Sequence, residues 1–322
     1  MRAVLTDFGA TTVSLFVNDK NGKSLDIIAG YDEVLPYQKE TCYFGATVGR
    51  NANRISDAKI TVDGIEYKLD ANDNENNLHS GSTGTSELFW QVKEHKENSI
   101  TFEYLSRDLE QGFPGNATMT VTYTLTDNND FEMVYHGISD KKTVFNMTNH
   151  NYYNLNGHTS GTICNHTLQI SASHYNPVKS AKAIPTGEIA PVEGTPFDFR
   201  TAKTIGQNIS DQFDQLTYGN GYDHNFAIDK TGTGLEKIAT AIGDKSGIQM
   251  DVLTDCVGIQ LYTGNFIGGQ VGKGGHTYAD RDAFCLETQF YPNSINEPNF
   301  ASPLVDANKD YNSKTVYHFS IA

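Results

Sequence analysis

Two residues are suited by type and setting to exchange protons with a bound ligand, His150 and Glu287. His150 lies in Phe145-Asn146-Met147-Thr148-Asn149-His150-Asn151-Tyr152-Tyr153-Asn154-Leu155. That stretch is dense in hydrogen-bonding groups, yet it carries Phe, Tyr and Leu like a buried strand. Buried polar groups are costly unless satisfied, so such density predicts a site. An imidazole is the side chain best poised for proton transfer near neutral pH. The plainer alternative is a satisfied core histidine. Glu287 interrupts the apolar run Phe284-Cys285-Leu286-Glu287-Thr288-Gln289-Phe290-Tyr291-Pro292. It either points to solvent, opposite Leu286 and Thr288, or lines a cavity. In the second case burial would raise its pKa toward that of a useful base.

Three more stretches could hold a polar ligand. In Gly49-Arg50-Asn51-Ala52-Asn53-Arg54-Ile55 two arginines stand four apart outside any basic run. Arg50 reads as a structural ion-pair partner. Arg54, beside Asn53, fits ligand contact and ion pairing equally, because a guanidinium fork suits hydroxyl or carboxylate oxygens. His79 sits in the Gly-bounded loop Asn76-Asn77-Leu78-His79-Ser80-Gly81, where a capping or surface role is the simpler reading of the loop alone. Asp223 lies in Tyr222-Asp223-His224-Asn225-Phe226. His79, His150, Asp223 and Glu287 could in principle bind zinc, but none forms a local ligand pair, so no metal is expected. A Gly-rich phosphate loop is also missing, and no cofactor is expected.

The elements that must position these groups read as short strands. Ile60 to Leu69 is a hairpin signal, with Asp63-Gly64 between two β-favouring runs. Met119 to Leu125 alternates, Asp127 to Asp130 makes a turn, and Phe131 to Tyr135 resumes the alternation; Ile259 to Thr263 is a further strand. The 29 glycines, with many Asn and Asp, supply the close turns of antiparallel sheets. Helical signal is sparse. Its best case is Thr201 to Leu216, where Thr201 could cap a short helix bearing Ile205, Ile209 and Phe213 at every fourth position. The Pro- and Gly-rich segment from Pro177 to Phe199 reads as a long loop over one sheet. The predicted fold class is all-β, two packed antiparallel sheets in one domain spanning 1–322.

Composition narrows the partners. Lys and Arg number 24 against 39 Asp and Glu, a formal net charge of -15, which argues against nucleic acid and anionic membranes. A small neutral ligand is compatible with it. No apolar run reaches the length of a transmembrane helix, and the start reaches Asp7 too soon for a signal peptide. Cys42, Cys164, Cys256 and Cys285 form no Cys-x-x-Cys pair and read as reduced thiols of a cytoplasmic protein. Asn146-Met147-Thr148 is a glycosylation sequon inside the candidate site, which again points to the cytoplasm.

Taken together these stretches resemble the aldose 1-epimerase (galactose mutarotase) family. The resemblance runs from Phe8-Gly9-Ala10 almost to the C-terminus. It includes Tyr43 to Arg50, Asn53-Arg54-Ile55, Asn77-Leu78-His79, Gly112-Phe113-Pro114-Gly115 and Asn146 to His150. It continues through Ile184 to Glu188, Gly194 to Arg200, Tyr222 to Phe226, Gln260 to Asn265 and Leu286 to Gln289. It implies a large two-sheet β-sandwich, a supersandwich with few short helices, and a sugar cleft on one face. It further implies that His150 is the general acid and Glu287 the general base, and that Arg54, His79, Asp223 and Gln260, helped by Asn53, hold sugar hydroxyls. The chain departs from the family pattern in three places. Only eight residues precede Gly9, so one or two N-terminal edge strands are expected to be missing. Ser80 stands where a second Gly is common, and Glu297 where His is common.

The implied reaction interconverts the α and β anomers of a free aldohexose such as galactose or glucose. The ring opens, C1 turns, and the ring closes on its other face. One acid at the ring oxygen and one base at the C1 hydroxyl suffice. His150 is expected to be protonated at working pH, its pKa raised by Asp223 and Glu287 nearby. The alternatives are a glycoside hydrolase using Asp223 with Glu287, and a non-catalytic carbohydrate-binding module. The expected partner is a small-molecule aldose, with no nucleic acid and no membrane, and the expected state is monomer or homodimer.

Overall fold

The computed structural model describes residues 1–39 and 42–322. Strands dominate. The largest sheet has nine, in the order Lys203–Thr204, Thr167–Ile170, Glu236–Ile242, Ile248–Thr254, Asp310–Ile321, Asp130–Ser139, Ala117–Leu125, Ser99–Ser106 and Gln91–His95. A five-stranded sheet follows the order Ala190–Pro191, His174–Tyr175, Asp223–Ala227, Gly258–Tyr262 and Cys285–Gln289. All named pairings are antiparallel, as the alternation predicts.

The period of two builds the core. Along Ala117–Leu125, Ala117, Met119, Val121 and Tyr123 are buried, and Asp130–Ser139 and Ile248–Thr254 alternate in the same way. The inner face of the large sheet meets the back of the five-stranded one. There the Tyr317 hydroxyl donates to the Leu286 carbonyl at 2.8 Å, and the Thr288 and Thr315 hydroxyls pair. Leu286 and Thr288 therefore face the core. Cys285, Glu287 and Gln289 face the other way.

The Asp63-Gly64 hairpin forms as expected, with Lys59–Val62 pairing Ile65–Lys68 and both turn residues at positive φ. The strands expected around residues 119–125, 131–135 and 259–263 are present. The helix expected from Thr201 to Leu216 is not. Lys203–Thr204 extends the large sheet, Ile205–Gln207 is a single 3₁₀ turn, and only Asp214–Gly219 is α-helical, starting after Phe213 rather than Thr201. Ile205 and Ile209 are buried where the loop crosses the core, so their spacing reflects packing and not helical phase. At the N-terminus Arg2–Thr6 pairs with Thr11–Asn18, which pairs with Ser24–Asp26. Cys42 and Cys285 are buried, Cys164 and Cys256 half-buried, and no disulfide occurs among the described residues.

Candidate active site

Four short pieces of backbone converge on the outer face of the five-stranded sheet. The strand Thr148–Asn149 pairs with Thr47–Val48, and the pairing carries on through His150, whose N–H donates to Ala46 O while its carbonyl accepts from Gly45 N. That fixes where His150 leaves the strand. Arg54–Ile55 pairs with Asn77–Leu78, which sets Arg54 and His79 side by side. Asn53, His79 and Ser80 all take the left-handed conformation, with φ of 62°, 51° and 72°. Ser80 occupies a position that favours glycine, and its hydroxyl bridges the N–H and carbonyl of Asn51. Asp223 opens the strand Asp223–Ala227. Gln260 is the cross-strand neighbour of Glu287 and of Asn225.

These pieces enclose a cleft of about 190 Å³ lined by Asn53, Arg54, His79, His150, Asp223 and Glu287, with Tyr43, Tyr152, Tyr262 and Phe266 as an aromatic wall. Six of the seven residues expected to act on a ligand line it. The seventh, Gln260, is buried behind Asp223 and donates to its Oδ1 at 2.7 Å, so it orients the carboxylate. A larger cavity of about 250 Å³ opens beside Ala3, Leu5 and residues 95–100, and contains none of the residues expected to act on a ligand.

Across the cleft, His150 Nε2 stands 3.7 Å from Glu287 Oε1. Both side chains are almost fully buried, at 5% and 2% exposure. The imidazole is held between Tyr152 (ring centres 5.0 Å apart, 24° between planes) and Tyr43 (5.9 Å, 29°). Burial drives both members of the pair toward neutrality. The Glu287 carboxyl is pushed well above the usual range by burial and then by Asp223, with Arg54 opposing. His150 is lowered to about 4 by burial. The expected rise in the His150 pKa therefore does not occur. Loss of water around the ring outweighs attraction to carboxylates that burial has itself made reluctant to ionise. Burial raises the pKa of Asp223 as well.

The remaining groups are fixed by partners outside the cleft. Arg54 Nε donates to Asp73 Oδ2 at 2.7 Å, which leaves the rest of its fork for a ligand. His79 Nδ1 accepts the Asn53 N–H at 3.2 Å, so a neutral His79 carries its proton on Nε2. Burial, the His150 ring and Arg54 lower its pKa and keep it neutral. This tautomer bears on metal binding. His79, His150 and Glu287 bring donor atoms within 4.8 Å of one another, but a metal needs the Nε2 lone pair that the protonated nitrogen does not offer. Arg50 is structural, though not through an ion pair. Its buried guanidinium donates to Ser106 Oγ and O, Pro114 O, Arg107 O, Gly115 O and Thr143 Oγ1.

Sequence reasoning missed the aromatic wall, Asp73 and the Cys285 thiol, whose Sγ lies 3.4 Å from His150 Nδ1. Tyr43, Tyr152 and Tyr262 lie inside motifs already singled out, but their period matches that of core residues. Phe266, 64% exposed in the turn at 265–266, lies just past the motif from Gln260 to Asn265.

The family model for aldose 1-epimerase matches residues 1–318. This chain belongs to the aldose 1-epimerase family. It is 39% identical over 323 residues to the galactose mutarotase of Sus scrofa, covering 100% of this chain and 92% of that protein. It is 36% identical over 321 residues to the aldose 1-epimerase of Escherichia coli K12, covering 99% and 92%. Among solved structures, an aldose epimerase homologue from C. elegans superposes with a TM-score of 0.92 at 31% identity, covering 99% of this chain and 95% of the other. A galactose 1-epimerase from Lactobacillus acidophilus gives 0.82 at 25% identity, covering 98% and 90%. The chain is an isomerase that interconverts aldose anomers, and its β-sandwich is that of its relatives. The comparisons favour neither the hydrolase nor the binding-module alternative. No helix among the described residues is long and apolar enough to cross a membrane.

Proposed function

We propose that His150 is the general acid and Glu287 the general base of anomer interconversion, acting on free hexoses such as galactose and glucose. The observation that carries this reading is the pair itself, 3.7 Å apart and buried on the wall of a hexose-sized cleft. During ring opening His150 gives the proton on Nε2 to the ring oxygen while Glu287 takes the proton of the C1 hydroxyl. The open-chain aldehyde turns about C1–C2. On closure the two protons return, and the hydroxyl emerges on either face. The proton count of the pair never changes, so the site needs no exchange with solvent within a turnover.

Arg54, His79 Nε2–H and Asp223 are then the grips on the sugar hydroxyls, Asn53 helps by holding His79, and Gln260 aims Asp223. With Asp223, Glu287 and Asp73 beside a single arginine, the cleft suits a neutral sugar better than a sugar phosphate. All of these residues, drawn from 53 to 287, serve one catalytic unit. A cytoplasmic setting fits the sequon, since Asn146 is buried and its Oδ1 accepts from Phe290 N at 2.8 Å, leaving no room for a glycan.

The test follows the optical rotation of fresh α-D-galactose, or anomer exchange by NMR, with Glu287→Gln and His150→Asn. Each should lower kcat by roughly 10² to 10⁴. Near-wild-type rates in both variants would remove the assignment.

A further inference from the structure

We propose that Cys285 is a positioning residue for His150: its sulfur accepts from Nδ1–H both while the imidazole is protonated and after Nε2 has given up its proton, keeping Nε2 toward Glu287 in both states. The proposal rests on the reading of His150 as the group that moves the proton.

Cys285 opens the strand Cys285–Gln289 two residues before Glu287, so the period of two puts both side chains on the cleft face. Its thiol is fully buried, at 0% exposure, and Sγ lies 3.4 Å from His150 Nδ1. The ring is packed in place beside it. Tyr152 and Tyr43 flank its faces, and Tyr262, paired across the sheet with Cys285, meets it edge-on at 6.2 Å and 75°. The titratable groups facing the imidazole are thus Glu287, Cys285, His79 and these three tyrosines.

The two histidines of the cleft differ in what stands behind them. His79 Nδ1 meets a backbone N–H, which can only donate and so locks one tautomer. That suits a fixed donor to a hydroxyl. A carboxylate behind His150 would only accept, and would hold the ring in its charged form. A thiol accepts too, but weakly and without a charge. It therefore holds the proton on Nδ1 in each charge state and favours neither, which is what a ring that gains and loses its Nε2 proton in every turnover requires. Burial and the nearby carboxylates hold the thiol itself in its protonated form. No bond to sulfur forms or breaks in this role.

The experiment compares Cys285→Ser, which keeps a group able to accept from Nδ1–H, with Cys285→Ala, which does not. In the full-length protein with ¹⁵N-labelled histidine, the His150 resonances are assigned by their loss in His150→Gln, and they report which ring nitrogen is protonated. The Ala variant should show mixed tautomers of His150. Its kcat for galactose should fall about tenfold with KM unchanged, the size expected when a buried donor loses its partner. The Ser variant should restore most of that kcat and the single tautomer. Wild-type tautomer and kcat in Cys285→Ala would overturn the proposal. So would an equal loss in Ser and Ala, which would mark a packing role only. Failure of the acid–base reading would show elsewhere, as retained activity in Glu287→Gln and His150→Asn, because the nitrogen resonances read His150 whatever it catalyses.

Discussion

Burial makes the His150 imidazolium a stronger acid, and the Glu287 carboxylate a stronger base, than either is in water. In the proposed mechanism, ring opening moves one proton to the sugar from His150 and one from the sugar to Glu287. It leaves an imidazole and a carboxylic acid, the state that burial favours. The site thus stabilises the half of the cycle in which the sugar is open. The active form of the pair carries one proton in total, and a second is added only as pH falls through about 4. The log of kcat/KM should therefore stay level down to about pH 4 and show no break near 6.5, the value of a free imidazole. A break at 6.5 in a pH–rate profile would contradict this account of the pair. Asp73 gives a second test at this scale. It holds Arg54 from outside the cleft, and both side chains are partly exposed. Asp73→Asn should raise KM roughly two- to fivefold with kcat little changed, since a partly exposed ion pair contributes about 1 kcal/mol or less. A fall in kcat at constant KM would place Arg54 in the chemistry instead.

The strands that carry the site are two-residue pairings, Thr47–Val48 with Thr148–Asn149 and Arg54–Ile55 with Asn77–Leu78, too short to be stable or legible alone. Their register is held by tertiary anchors, and Arg50 is the chief one. Its guanidinium joins the segment entering the site to the end of the strand Ser99–Ser106 and to the loop at 114–115 by donating to the carbonyls of Ser106, Arg107, Pro114 and Gly115. Burial lowers its pKa to about 10, which leaves it charged at neutral pH. Arg50→Met should destabilise the fold by about 3 kcal/mol or more, seen as a lower denaturant midpoint, because several oxygens lose a charged donor at once. An unchanged midpoint would deny it that role. The sequence disclosed the elements whose cause is local. Asp63-Gly64 announces its hairpin through turn chemistry, and residues 117–139 announce theirs through alternation. Ile205, Ile209 and Phe213 misled because a loop laid over a core can repeat every fourth residue by coincidence. His150 and Glu287 stood out as polar groups in apolar settings, whereas Arg54 fitted ligand contact and ion pairing equally, His79 read more simply as a capping or surface residue, and the sugar-holding roles of His79, Asp223 and Gln260 came from the family resemblance. Tyr43, Tyr152 and Cys285 were not legible, because nothing in one dimension separates a residue that flanks a reactive ring from one that fills a core.

Taken as a whole, the molecule holds five imidazoles neutral, chiefly by burial. His79 lies well below its ordinary value, His150, His158 and His166 fall to about 4, and His224 to about 3. In the unfolded chain each would titrate near 6.5. Between those values the unfolded state binds more protons than the folded one, so each of these groups removes stability as pH falls through 6.5 toward its folded value. At pH 5 one such ring costs about 2 kcal/mol. Glu287 and Asp223 act with the opposite sign. Their raised folded pKa values mean that the folded state takes up the proton first, so the strain of keeping them ionised is relieved as pH falls. Five imidazoles pull one way, and Glu287, Asp223 and the half-buried Glu87 the other, and the imidazoles begin to act at higher pH than an ordinary carboxyl would. The melting temperature should therefore drop between pH 7 and pH 5, by about 5 °C or more, well before general acid denaturation of surface carboxylates sets in. His224 offers the sharper version. Its Nε2 pairs with Gln215 Oε1 at 3.0 Å, and its only shift comes from burial. His224→Gln removes one titrating ring, so the slope of stability against pH over the same interval should flatten even if the variant starts from a lower midpoint. A melting temperature that holds level or rises from pH 7 to pH 5, or a His224→Gln slope as steep as the parent's, would mean that these rings are hydrated in the folded protein and that burial does not set their charge.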